Sequence, residues 1–243
     1  MVFTIQNTDV QQKDANRAVF VAVTSRLVFE PDDGDDVCKL GVAYPLLQAL
    51  QRVNECLLQK SSTESLLFDV ILMISDREQE QQRSRIISST RHHGLQISRF
   101  CLCSEDKLVE SLLQNQVHLF LTTDPNEVQQ ASHKGVVSVL LDQELAFCPS
   151  DQLRVLICGD AILQPNSGQQ HLQSFLAHLG EMRQKFDYFN TPLAIVLVTS
   201  HGGRDSCGSA LKMLRLRGLF VDEAYCLAGA PRGPILSVLR PHF

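Results

Sequence analysis

No apolar run in this sequence is long enough to cross a bilayer. The longest, such as Ala18–Val23 and Leu193–Val198, fall far short of the roughly 20 residues that a membrane helix needs. Positive charge is not in excess either: 22 Lys and Arg against 27 Asp and Glu leave a net charge of −5 and a pI near 5.9. That balance gives no electrostatic reason to expect a nucleic-acid polymer or an anionic membrane as partner. The opening segment MVFTIQNTDVQQKDANR lacks the basic start and apolar stretch of a secretory signal. The eight cysteines, at 38, 56, 101, 103, 148, 158, 207 and 226, include no CxxC pair and no small-domain framework. A cytosolic protein with free thiols is the expectation. Cys56, Cys101 and Cys226 sit in apolar runs, where a thiol acts as a small hydrophobe. The nearest approach to a zinc set is Cys101-Leu-Cys103 with His92 and His93, and its alternation reads as a strand.

What is present is an alternation of strand-like and helix-period segments. A chain of 243 residues suits one large α/β domain or two small ones. AVFVAVT (18–24), FDVILMI (68–74), ISRFCLC, VHLFLTT, VVSVLL, LRVLICGD, PLAIVLVTS and EAYCLAG read as strands. Between them, YPLLQALQRVNECLLQK places Leu46, Leu47, Leu50, Val53 and Leu57 on one helical face, and REQEQQRSRIISSTRHHG reads as a polar helix ending at Gly94. Further helices are expected within 169–187, around 206–217 and from about Pro234. Near-continuous Val, Ile and Leu strands imply a mostly parallel sheet with helices on both faces, an α/β, Rossmann-like fold. The expected organisation is a flexible stretch over 1–17 and one α/β domain over 18–243, with halves 18–150 and 151–243.

Ligands in such folds lie beyond the carboxyl ends of the strands. Those ends are Thr24-Ser25, Ser75-Asp76, Thr122-Thr123-Asp124, Cys158 to Asp160, Thr199-Ser200 and Gly229. Gly203 and Gly208 have the GxxxxG spacing of a phosphate loop, but Ser209-Ala210 follow where Lys-Ser or Lys-Thr would be required. The acidic run EPDDGDD (30–36) lacks the spacing and terminal Glu of a calcium loop, and reads as solvated. Three turns come in a telling order: acidic Cys158-Gly159-Asp160, then hydroxyl-rich VTSHGG, then LAGAPRGP with its one cation, Arg232. His201 sits beside the second turn and Lys212 on the helix after it.

In those turns, and in VAVTSRLVFE, GVAYPLLQALQRVNE, FDVILMISD, LRVLICGDAIL, ALKMLRLRGLFVDEAYCLAGAPRGP and LRPHF, the chain resembles the cytosolic 5′-nucleotidase I family of haloacid-dehalogenase-like phosphatases. The resemblance covers most of residues 18–243. It implies dephosphorylation of nucleoside 5′-monophosphates, AMP prominently, with Mg²⁺. A carboxylate at the first position of the acidic turn would attack phosphorus, and a second, two positions on, would serve as acid and base. Carried onto this sequence, Asp160 takes the acid/base position and a share of the metal, and Thr199 with Ser200 supplies the phosphate-binding hydroxyls. Arg232 stands where a Lys is expected, and Cys158 where the nucleophilic Asp belongs. The 161–192 stretch is short against the family's cap, and the acidic metal loop would begin beyond Phe243, so both are expected to be reduced. Two readings follow: a nucleotidase acting on AMP, or an inactive relative that binds a nucleotide or a partner subunit. Self-association into a homo-oligomer is left open.

Overall fold

Runs of Val, Ile and Leu bury both of their faces by pairing as parallel strands under helices, and that is what this chain does. The computed structural model describes residues 3–30, 36–141, 152–163, 169–187, 191–201 and 203–243. β1 (Phe3–Gln6), β2 (Val19–Thr24), β3 (Phe68–Ser75), β4 (Ile97–Cys103), β5 (Leu119–Thr122) and β6 (Val137–Leu140) form a six-stranded sheet in the order β1-β4-β3-β2-β5-β6. All its pairings are parallel except that of β1 with β4. The parallel strands therefore start in the middle at β2, move outward to β4, and restart on the other side at β5, the doubly wound order of Rossmann-like sheets.

Alternation along β2 sorts the two faces. Val19, Val21 and Val23 pack with Leu46, Leu50, Val53 and Leu57 of α2 (Tyr44–Lys60), together with Ile86 of α3 (Glu80–His92). Phe20 and Ala22 pack the other way, against Leu108 and Leu112 of α4 (Leu108–Gln114) and Ala131 of α5 (Pro125–His133). A short helix α1 (Ser25–Val28) follows β2 directly. Cys101 and Cys103 share a face of β4 and are buried in that second cluster. Among the described residues, no three His, Cys, Asp or Glu side chains come together as a metal site. Cys226 is exposed, contrary to the expectation of a buried thiol, and His93 is half-buried with Nε2 2.9 Å from the Cys38 carbonyl. The acidic run's residues 31–35 lie outside the described residues.

The single sheet expected from the sequence divides in two. β7 (Leu153–Cys158), β8 (Leu193–Thr199) and β9 (Glu223–Cys226) form a separate three-stranded parallel sheet, ordered β7-β8-β9. The reason lies at the free edge of β7, where the chain's own final residues bond: His242 N–H donates to the Arg154 carbonyl (2.8 Å) and Leu156 N–H to that of Phe243 (2.7 Å). α6 (Gly159–Leu163), α7 (Gln169–Gln184), α8 (Gly203–Leu216) and α9 (Gly233–Leu239) accompany this sheet. Leu153, Val155, Ile195 and Leu197 join the same large hydrophobic cluster as β2 and α2, so one core spans both sheets. The opposite face is covered by α9, through Leu239 and Ile235 on Val196 and Val198. A second difference is β1, in a stretch where no element was expected. FTIQ is too short to announce itself, and its partner residues, Arg99 to Leu102, are distant in sequence. No helix among the described residues is long and apolar enough to cross a membrane.

Two polar fixtures lock the second sheet. Arg183 of α7 places its guanidinium on Asp222, with Nε 3.0 Å and Nη2 2.6 Å from Oδ1, and the Ile195 N–H donates to Asp222 Oδ2 (2.8 Å). Replacing Asp222 with Ala takes the carboxylate away from a buried guanidinium, so urea unfolding should show a loss of about 3–5 kcal/mol; a loss below 1 kcal/mol would refute that role. The second fixture is His242, only 1% exposed, whose Nδ1 accepts the Arg154 N–H (3.1 Å). Burial, and then the charge of Arg154, push its imidazole down to about 4. Unfolded, it titrates near 6.5, so between roughly pH 6.5 and 4 only the unfolded chain takes up the proton. Stability should fall as pH drops through that window. His242→Asn, which keeps an acceptor for Arg154 and cannot titrate, should lose less between pH 7 and pH 5 than the native chain; equal losses would exclude His242 as the source.

Candidate active site at the carboxyl end of the second sheet

β7, β8 and β9 all run the same way, so their carboxyl ends deliver three turns to one place. β7 ends at Cys158, and the next two residues already belong to α6, so Asp160 stands in that helix's first turn. Gly159 is required there by close approach. A Cβ at this position would lie 2.4 Å from Thr199 Cγ2 and 3.1 Å from Leu197 Cδ1. β8 ends at Thr199 and passes to Ser200 and His201. After β9, Ala228 (φ +51°) and Gly229 (φ +92°) take left-handed backbone in succession. This reverses the chain, lets Gly229 N–H donate to the Ser200 carbonyl (2.6 Å), and sets Arg232 at the start of α9.

The three turns meet on the carboxylate of Asp160. Its Oδ2 accepts the Ser200 N–H (2.9 Å) and a guanidinium N–H of Arg232 (3.1 Å), and its Oδ1 lies 3.4 Å from the His201 N–H. Arg232 Nε also donates to Ser200 Oγ. Cys158 Sγ lies 3.8 Å from Asp160 Oδ2, and the His201 ring nitrogen Nδ1 3.9 Å from it, on an imidazole that is 81% exposed. Burial raises the Asp160 carboxyl, but the backbone donors of Ser200 and His201, the Ser200 hydroxyl and the His201 ring outweigh it and hold the group below the usual carboxylate range. Asp160 is therefore ionised at neutral pH and, as arranged, can accept a proton or pair with a cation but has none to donate.

Of the residues singled out from the sequence, Cys158, Asp160, Ser200 and Arg232 are brought together. Thr199 is fully buried, and its hydroxyl faces the Tyr225 carbonyl at 3.5 Å, away from the cluster. Ser200 holds the hydroxyl position that faces Arg232. Lys212 is exposed on α8 and makes no hydrogen bond or ion pair with these groups. The direct bridge from Arg232 to Asp160 was not legible in the sequence. Only the register of three distant turns creates it.

For a metal, the donor set is poor. Both oxygens of Asp160 face N–H donors, its neighbour Cys158 offers sulfur, and no metal-binding group of His, Cys, Asp or Glu occurs among the described residues. Mg²⁺ holds near-octahedral oxygen at about 2.1 Å and loses its waters reluctantly. The described residues do not fit that ion.

The packing makes a direct prediction. Gly159→Ala should cost about 1–3 kcal/mol of stability, because its methyl would overlap Thr199 Cγ2. Adding Thr199→Ser, which removes that methyl, should recover part of the loss in denaturant unfolding. Additive losses would show that the two residues do not collide.

The 5′-nucleotidase family profile matches residues 22–174, more than half of the chain. The match takes in Cys158 and Asp160 and stops before Thr199, Ser200 and Arg232. Human cytosolic 5′-nucleotidase 1B is 33% identical over 234 residues, covering 83% of this chain and 38% of that protein. The chain thus spans less than half the length of this curated relative. On the profile match and the similarity to this relative, the chain belongs to the cytosolic 5′-nucleotidase I family.

Proposed function

We propose that the chain binds a nucleoside 5′-monophosphate, with AMP as the reference case, at Asp160, Ser200 and Arg232, and has lost the hydrolysis of its phosphate ester. The observation that carries this reading is the thiol at 158, held 3.8 Å from Asp160 at the position the haloacid-dehalogenase-like resemblance gives to a nucleophilic carboxylate. Losing that carboxylate removes both the attacking oxygen and a hard ligand for Mg²⁺, and a soft sulfur replaces neither as a metal ligand. Family membership supports a nucleotide as the bound molecule. The cytosol is the proposed setting, as the relative's name states for that protein.

Recognition would fall to this chain's own groups. The Arg232 side chain is about half exposed and presents a planar fork suited to two phosphate oxygens. Ser200 Oγ adds one more donor beside it. A phosphate dianion arriving here competes with Asp160 for Arg232, and its charge raises the Asp160 carboxyl toward the neutral form. The protonated acid can then donate a hydrogen bond to the ester oxygen. That contact orients the ligand without cleaving it.

Phosphate release from AMP in the presence of Mg²⁺, read beside calorimetric AMP binding, tests the proposal on the native chain, Cys158→Asp, Asp160→Asn and Arg232→Ala. The native chain should bind AMP and release no phosphate, Arg232→Ala should weaken binding by about tenfold or more, and Cys158→Asp should restore some release. Turnover by the native chain that Asp160→Asn abolishes would make it a working nucleotidase instead. Failure of the native chain to bind AMP at all would leave the family fold without its ligand.

A further inference from the structure

The first sheet has its own crevice, in the other sheet from the Asp160 cluster. It opens beyond the carboxyl ends of β2, β3 and β4, beside the point where the strand order reverses between β2 and β5. Doubly wound sheets hold their ligands at this place. The cavity measures about 130 Å³. At roughly 30 Å³ of liquid per water, that is the space of about four waters, or of one small sugar ring. Met73, Cys103 and Leu108 form an apolar wall, and Ser25, Ser75 and Ser104 bring hydroxyls to it.

Two groups in the crevice bear on what it could hold. Thr24 is 6% exposed, lines the cavity at the end of β2, and its Oγ1 has no hydrogen-bond partner among the described residues. A buried hydroxyl left unmade costs about 1–3 kcal/mol, so a water or a ligand in the cavity has to meet it. The other is Glu78, just beyond β3. Its carboxylate has no hydrogen bond or ion pair with a described residue, whereas Glu127 is held by Arg26 at 2.9 Å and Glu105 by Arg77 at 3.2 Å. The crevice therefore presents a carboxylate and a buried hydroxyl that have no partner among the described residues.

That chemistry selects against phosphate. The turn after β2 reads Thr24-Ser25-Arg26, with none of the glycines that let a backbone cradle a pyrophosphate, and the unpaired charge is negative. An acid placed just after the second strand of such a sheet is where a carboxylate accepts the vicinal hydroxyls of a ribose. We propose that this crevice is a second binding site, taking the vicinal diol of a pentose through Glu78 and Thr24. The sugar's carbon face would lie on the Met73 and Leu108 wall.

Backbone NMR titration with D-ribose, adenosine and 2′-deoxyadenosine tests this on the full chain. D-ribose and adenosine should give saturable shifts at Thr24, Ser75 and Glu78, and 2′-deoxyadenosine should bind about tenfold or more weakly. A response to adenosine with none to D-ribose would assign the site to nucleosides; a response to both would assign it to the pentose itself. Glu78→Gln should weaken binding by a similar factor. Thr24→Val should weaken it while leaving the melting temperature unchanged or higher, since it deletes an unpartnered hydroxyl. Arg232→Ala should leave these affinities unchanged, whatever it does to AMP. Shifts confined to Ser200, Gly229 and Arg232, no saturable shift with either sugar, or affinities indifferent to both Glu78→Gln and Thr24→Val would each overturn the assignment.

Discussion

The second half of the molecule depends on one ionised carboxylate. Asp160 is about one-fifth exposed, and its ionised carboxylate is held by donors. Three strands of different sequence position supply them: β7 places the acid, β8 ends in the Ser200 and His201 N–H groups, and the turn after β9 returns Arg232. Meeting this demand fixes the spacing of the turns. It accounts for the glycine at 159, which lets α6 start against Thr199, and for the left-handed pair Ala228-Gly229, which brings the third turn back. The site is thus a requirement of packing and charge before it is a place for a ligand.

The elements were largely legible in the sequence because burial on two faces leaves an unmistakable trace. FDVILMI, ISRFCLC and PLAIVLVTS have too few polar residues to be anything but interior strands, and YPLLQALQRVNECLLQK carries its apolar stripe at helical spacing. What could not be read was pairing. Nothing in VVSVLL or LRVLICGD says that the first belongs to one sheet and the second to another. That division is made by His242 and Phe243 lying along β7, a contact between residues almost ninety positions apart. The same limit applied to β1, whose four residues become a strand only because β4 offers an edge.

The candidate site was legible in part, for a related reason. Cys158, Asp160, Ser200 and Arg232 could be chosen as strand-end residues, since parallel sheets gather such ends. Thr199 and Ser200 could not be told apart, because alternation decides which of two neighbours faces the core, and one residue of register reverses the answer. Here Thr199 turns inward to the Tyr225 carbonyl and Ser200 outward to Arg232. The crevice of the first sheet was also present as Thr24-Ser25 and Ser75-Asp76. Only the structure separates Glu78, which has no ion pair among the described residues, from Glu105 and Glu127, each of which has one.

The residues at 158 and 232 belong together. Two carboxylates within a few ångströms repel unless a cation lies between them, so an acid at 158 beside Asp160 would call for a divalent ion or a shifted proton. A cysteine at 158 places no second carboxylate there. That of Asp160 is balanced by a single guanidinium, and arginine can do what lysine cannot in this geometry: its rigid fork reaches Asp160 with one nitrogen and Ser200 with another. The cluster is then electrically complete with protein groups alone. Placing a carboxylate at 158 would reopen that balance, and the charge it adds would have to come to terms with Arg232 before any metal did. A carboxylate placed at 158 alone would therefore supply only part of what such a site needs, because Arg232 still competes for the acid.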